Sequence, residues 1–263
     1  MNYKLIAMDF DGTLLSENKT VSKANKEKLT ELKNKGYIIV GVTARNLTSV
    51  QHVCDIQMFN YLILNNGTYI YDVKQENGQY IKYLNRKVVT KLSRNFFDEA
   101  SEIDFCTLGH YYVFKNKTIN PDRIEINGID DIKEEIARMN IFLKNQEENN
   151  KCKKFIEENF TDIDVFEMMD TDSKIKRKWL AINPKDINKF VGIQSLCKKL
   201  NIDTKNVIFF GDSTNDLMAI KNVGVGVAMG NAIDIVKENA KEVTLSNEEN
   251  GIAVFLEKLE SEK

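Results

Sequence analysis

Asp9 and Asp11 stand one residue apart at the end of an apolar run, in "IAMDFDGTLL" (6–15), with Gly12 and Thr13 behind them. Along an extended chain, residues i and i+2 face the same side, so the two carboxyls can address one reacting centre. An aspartate can attack phosphorus and form an aspartyl-phosphate. A second carboxyl can protonate the leaving oxygen and then take a proton from the attacking water. Asp9 suits the first role and Asp11 the second, and Gly12 lets the backbone turn sharply after the pair. Other apolar runs end in Thr43, with Arg45 behind it, and in "GDSTND" (211–216), which contributes Asp212, Ser213, Asn215 and Asp216. Lys189 opens a helical pattern, where backbone N–H groups and the helix dipole favour an anion.

Brought together, Asp9, Asp11, Asp212 and Asp216 repel one another, and one lysine does not offset four carboxylates. An all-oxygen set without His or Cys suits a hard cation, and Mg²⁺, which shares its coordination with phosphate, is the expected cofactor. Thr43 and Lys189 then supply a hydroxyl and a positive charge for the other phosphate oxygens. A lone Asp-x-Asp after a strand is most often a capped turn. Specificity lies in the joint pattern of acid pair, strand-end Thr, helix-start Lys and "GDSTND", in that order.

Such groups need a scaffold. Strand patterns at 4–9, 37–43 and 61–67 alternate with a helix at 22–36, with Ser22 as N-cap and Gly36 as its stop. The rhythm returns with a helix at 188–202, strands at 206–212, 224–230 and 243–245, a short helix at 215–224 and a closing amphipathic helix from Gly251. Strands apolar on both faces predict a doubly wound parallel sheet of the α/β class, whose ligands bind at the carboxyl ends of the strands. Between them lie a helical pattern at 86–103, strand-like stretches at 105–116, 140–145, 164–169 and 178–184, and a helix at 150–160. That order predicts an inserted α+β unit with an antiparallel sheet. The core is placed at 1–84 and 184–263 and the insert at 85–183, with Pro184 at the second hinge.

The chain of 263 residues is 42% hydrophobic with a net charge of −2, enough for a substantial core and without a whole-chain bias toward nucleic acid or an anionic membrane. Cys54, Cys106, Cys152 and Cys197 form no CxxC pair and lie away from His52 and His110 in any zinc-like spacing, which argues against a zinc site and a disulfide framework. No stretch resembles a signal peptide or a membrane span. A cytoplasmic protein is expected, a monomer or weak homodimer acting on a small phosphorylated metabolite, with no nucleic-acid or membrane partner.

With these residues assembled, the chain resembles the haloacid dehalogenase (HAD) superfamily hydrolases, and more narrowly the Cof-type phosphatases with an inserted cap of the C2B kind. "DFDGTL", "VTAR", the lysine of "INKFVGIQSLCKKLNI" and "GDSTNDLMAI" are similar to the four motifs of that family, and "VGVAMGNAIDIVKENAKEVT" and "SNEENGIA" resemble the family's segments beyond the fourth motif. The resemblance covers the core; in the cap only architecture and position match. It implies that Asp9 is the nucleophile, Asp11 the general acid/base, and Thr43 and Lys189 the phosphoryl binders. It implies that Asp212 holds Mg²⁺ with Asp9 and the backbone carbonyl of Asp11. Asp216 would support the metal directly or through water, Asn215 would contact the phosphoryl group or orient its neighbours, and Asn231 would be a secondary phosphate-side contact. Ala44, Phe190 and Asn250 stand where family members often carry Gly, Gly and Asp; none of these changes removes a catalytic group.

A lid over the strand ends would control water and supply most substrate contacts, with Arg123, Lys174, Lys176, Arg177 and Lys178 as candidates. Trp179, His110 and Tyr111–Tyr112 read as packing. The function expected is a Mg²⁺-dependent phosphatase for sugar phosphates or cofactor phosphates, with a phosphomutase on the same fold as the alternative. A phospho-acceptor signalling domain would be near half this length, with its acceptor on a later strand and no insert.

Overall fold

The computed structural model describes residues 3–114, 123–169 and 177–261. Pro121 and the candidates Lys174 and Lys176 lie outside the described residues. Two compact units divide the chain, Met1–Ile81 with Asn188–Lys263, and Lys82–Ile187.

The first unit begins with β1 (Leu5–Met8), α1 (Lys23–Asn34), β2 (Ile38–Val42), α2 (Leu47–Gln51), β3 (Tyr61–Leu64), β4 (Tyr69–Asp72) and β5 (Asn77–Tyr80). The second contains α3 (Arg86–Phe96), β6 (Glu102–Cys106), β7 (Tyr111–Phe114), β8 (Arg123–Glu125), β9 (Arg138–Phe142), α4 (Gln146–Asn159), β10 (Ile163–Met169) and β11 (Lys178–Pro184). The chain then returns to the first with α5 (Lys189–Leu200), β12 (Val207–Gly211), α6 (Leu217–Asn222), β13 (Val225–Ala228), α7 (Asp234–Asn239), β14 (Glu242–Val243) and α8 (Gly251–Ser261).

The first unit is an α/β structure on an eight-stranded sheet of order β14-β13-β12-β1-β2-β3-β4-β5. β1 lies inside the sheet, and all four of its apolar residues are buried. A strand apolar on both faces needs cover on both, which helices supply in a parallel sheet. It pairs in parallel with β12 and β2, placing Met8 opposite both Phe210 and Gly41, so the three strands end together. α1 starts where the Ser22 side chain accepts the Asn25 N–H at 3.2 Å. α5 starts where Asn188 accepts the Val191 N–H at 3.1 Å, and stops at Asn201 in the left-handed region. One feature departs from the expected parallel sheet: β4 and β5 extend it antiparallel from β3. β5, "NGQY", is mostly exposed, so it has no apolar alternation to mark it.

In the second unit a six-stranded sheet runs β10-β11-β9-β6-β7-β8, antiparallel except for the β7–β8 pair. Ile103, Phe105, Met139, Ile141, Leu180 and Ile182 form one cluster with Val89, Leu92 and Phe96 of α3 and Cys152 and Ile156 of α4. The helix expected at 86–103 stops at Phe96, because from Glu102 the period changes to two, with Ile103 and Phe105 turned to that cluster. The run at 105–116 contains a turn, in which Thr107 Oγ1 accepts the His110 N–H. Pro184 is the last residue of β11, opposite Ile163 in β10, and the division between units falls after Ile187, not at the proline.

Candidate active site

Sheet geometry ends at Met8. The Asp9 N–H still bonds the Phe210 carbonyl of β12 at 3.0 Å, and then the chain coils, with Leu14 and Leu15 N–H bonding the carbonyls of Asp9 and Phe10. Phe10 turns inward over Gly41, where a Cβ would lie 2.6 Å from the ring. Gly12 has φ +75°, and a Cβ on it would run into the Asp212 carboxylate, so the turn closes on Asp212 only with glycine.

This coil separates the two acids. Asp9 is 5% exposed, and its Oδ1 lies 2.7 Å from Lys189 Nζ. Lys189, buried at the first turn of α5, also meets Asp216 Oδ1 at 2.6 Å and Asn215 Oδ1 at 3.3 Å. Asp216 Oδ2 accepts the N–H groups of Asp212 and Ser213, both at 3.0 Å, which pins the loop after β12. Asp212 Oδ1 accepts Thr13 Oγ1 at 2.8 Å. Carboxylate oxygens of Asp9, Asp212 and Asp216 all lie within 4.8 Å of one another. Asp11 is not in that group. Its Oδ2 accepts Arg45 Nε and its Oδ1 accepts Arg45 Nη2, both at 2.7 Å, and Lys19 Nζ is 3.0 Å from Oδ1. Three carboxylates gather, not four, because the i, i+2 rule holds only while the strand continues.

The two arrangements titrate in opposite senses. Burial pushes the Asp9 carboxyl up to about 8; Lys189 opposes this, and the charges of Asp216 and Asp212 add to it. Burial likewise raises Asp212 to about 6, against the hydrogen bond from Thr13. Lys189 is held above its ordinary range: burial disfavours its charge, but Asp216 and Asp9 overcome that. Burial would also raise Asp11, yet Arg45, and then Lys19, hold it below the usual carboxylate range.

Thr43 is buried at the end of β2, and its Oγ1 accepts the Arg45 N–H at 3.1 Å, which sets the loop that aims Arg45 at Asp11. Ser213 Oγ donates to Asn215 Oδ1 at 2.7 Å, and Asn215 Nδ2 reaches Asn66 Oδ1 at 3.3 Å. Asn231 Nδ2 donates to the Gly12 carbonyl at 2.8 Å and its Oδ1 accepts the Asn247 N–H, so this side chain ties two loops together. Thr13, Lys19 and Asn66 are the participants that sequence reasoning passed over. Thr13 sits inside the quoted motif, and Asn66 follows β3 in the left-handed region that Asn tolerates (φ 56°). Lys19, eight residues beyond Asp11, carries no local signal.

The chain belongs to the haloacid dehalogenase-like hydrolases, whose pattern it matches over residues 6–256. It is 27% identical over 266 residues to the 5-amino-6-(5-phospho-D-ribitylamino)uracil phosphatase YcsE of Bacillus subtilis (strain 168), covering 96% of this chain and 94% of that one. Among solved structures it resembles a haloacid dehalogenase-like hydrolase from Bacteroides thetaiotaomicron, with TM-score 0.81, 24% identity and coverage of 98% and 99%. It also resembles a HAD subclass IIB sugar phosphatase, with TM-score 0.78, 21% identity and coverage of 97% and 98%. These structural likenesses speak for the fold. No helix among the described residues is long and apolar enough to cross a membrane.

Proposed function

We propose that this chain, a phosphoric monoester hydrolase of its family, works with Mg²⁺ through an aspartyl-phosphate on Asp9 and acts on small phosphorylated metabolites. The observation that carries this reading is the buried group of Asp9, Asp212 and Asp216 around Lys189 at the ends of β1 and β12. The donor set fits a hard cation. It is all carboxylate, and burial and mutual repulsion have raised Asp9 and Asp212, a condition that a cation relieves. Asp9 and Asp212 would hold Mg²⁺, with Asp216, both of whose oxygens already bond Lys189 and the loop, as an outer support. When bound, the metal would neutralise charge on the phosphoryl oxygens.

The chain's own groups do the rest. Lys189 holds Asp9 in place and offers a fixed positive charge to the phosphoryl group. The Asp9 carboxylate attacks phosphorus as the P–O bond to the leaving group breaks. Asp11 gives that oxygen a proton, then takes one from the water that attacks the phosphoenzyme and frees Asp9. Arg45 and Lys19 position Asp11 between these tasks and favour its ionised form. Transfer to water, not back to substrate as in a mutase, agrees with the phosphatase relatives. The second unit serves as the cap and supplies the leaving-group contacts. The relatives' names, an aminouracil ribityl phosphate and a sugar phosphate, share a polar, uncharged leaving group.

Phosphate release from p-nitrophenyl phosphate, with Mg²⁺ and then with excess EDTA, tests this. Release that EDTA abolishes and Mg²⁺ restores is expected; metal-independent release would refute the proposed cofactor.

A further inference from the structure

In the first unit, β3 and β4 are joined by a turn in which Asn65, Asn66 and Gly67 all have left-handed backbone, at φ 50°, 56° and 104°. That region is unfavourable for most L-residues, and Asn is among the few that tolerate it. Strain of this kind survives where surrounding contacts impose it. Here they run to two sides of the catalytic group. The N–H groups of Asn65 and Asn66 donate to the carbonyls of Arg45 at 3.0 Å and Thr43 at 2.9 Å, at the exit of β2. On the other side, a Cβ on Gly67 would run into the Asn188 carbonyl, and one on Gly192 would lie 3.0 Å from the Gly67 Cα. Two glycines therefore let the turn rest against the start of α5, where Lys189 stands. The Asn66 side chain continues the connection. Its Oδ1 accepts Asn215 Nδ2 at 3.3 Å, and Asn215 Oδ1 accepts Ser213 Oγ at 2.7 Å and Lys189 Nζ at 3.3 Å.

We propose that Asn66 is a positioning residue for phosphoryl transfer, its carboxamide fixing the orientation of Asn215 and, through it, the ammonium of Lys189. This role rests on the phosphatase reading. A carboxamide has two unlike ends, one that donates and one that accepts. With Nδ2 directed to Asn66, Oδ1 is the end that faces Lys189 and Ser213; turned over, the amide would set its N–H groups against an ammonium. A lysine ammonium has three donors. Asp9, Asp216 and the Asn215 oxygen are three acceptors around it, so the direction of the charge depends on all three. Backbone conformation alone does not call for asparagine at position 66. Glycine, the next residue in the chain, adopts the same region without cost. In turns an Asn side chain commonly bonds its own near neighbours, whereas this one reaches a residue 149 positions away. The side chain is therefore explained by what it holds and not by the turn.

Two substitutions separate the side chain from the turn. Asn66→Gly removes the carboxamide and keeps the left-handed backbone; Asn66→Ala removes it and strains the turn. Three quantities are measured for each: kcat/KM with p-nitrophenyl phosphate and Mg²⁺, affinity for inorganic phosphate by calorimetry, and melting temperature. Both variants should lose about tenfold in kcat/KM and in phosphate affinity, the cost of a misplaced binding group. Only Asn66→Ala should lower the melting temperature. In an Asn215→Ala background, Asn66→Gly should change neither kcat/KM nor phosphate affinity by more than about twofold, because the group it acts through is gone. Wild-type activity and affinity in Asn66→Gly, or losses that add in full to those of Asn215→Ala, would overturn the proposal. A wild-type protein that binds phosphate with this dependence on Asn66 and Asn215, yet releases none from the ester, would count against the phosphatase reading alone. One that neither binds phosphate nor turns over would overturn both.

Discussion

The two units treat their polar groups differently. At the ends of β1 and β12, Lys189 is shared by Asp9 and Asp216, Asp216 in turn holds the loop, and Asp11 is gripped by Arg45 and Lys19. On the outer face of the second sheet, Glu102 is ion-paired with Arg123 and Arg177, while Arg138 Nε and Asn140 Oδ1 have no hydrogen-bond partner among the described residues. The first arrangement suits a group that every substrate shares. Every phosphate ester brings the same phosphoryl group, so the catalytic residues can be assembled and mutually held in advance.

Attacking the self-contained side should have the largest effect. Asp9→Asn should lower kcat by at least about a thousandfold while the melting curve shows a folded protein. Lys189→Met should lower kcat/KM about a hundredfold or more, because it leaves Asp9 and Asp216 facing each other without their cation. Arg45→Ala sharpens the comparison. Asp11 loses the partner that most depresses it, so its pKa rises, and the alkaline limb of the kcat/KM–pH profile, set by the acid that protonates the leaving oxygen, should move to higher pH with a smaller loss of rate.

The smallest effect belongs to the second unit. Burial raises Asp104 to about 6, above its unfolded value of 3.8. The folded state therefore binds more protons between those values, and stability from this group falls as pH climbs from about 4 to 6. Asp104→Asn removes that loss. The melting temperature of the variant relative to wild type should increase across this window by a few degrees and then level off. A constant difference at every pH would show that Asp104 is not the group responsible.

The same division separates the legible features from the hidden ones. Buried strands such as "LIAM" and the N-caps Ser22 and Asn188 are local signals, and the chain folds accordingly. Asp9, Asp212, Asp216 and Lys189 were legible because strand ends in a parallel sheet converge. The partnership of Asp11 with Arg45 and Lys19 was not, since it depends on the coil after Met8 and not on spacing. Asn231, expected as a secondary phosphate-side contact, donates to the Gly12 carbonyl, a bond its sequence position does not announce. The polar face of the second unit was less visible still. Arg123 and Arg177 were singled out for their charge, but Glu102, Asp104, Arg138 and Asn140 become neighbours only through the β6–β9 register.

The central claim is that Asp9 carries the phosphoryl group, and trapping it tests this most directly. Borohydride reduces an acyl phosphate to an alcohol, so protein quenched during turnover of p-nitrophenyl phosphate with Mg²⁺ is reduced and its peptides are mapped by mass spectrometry. Homoserine at position 9, formed only when substrate and metal are both present, is the predicted result. Turnover that leaves Asp9 unmodified while another residue is trapped would contradict it.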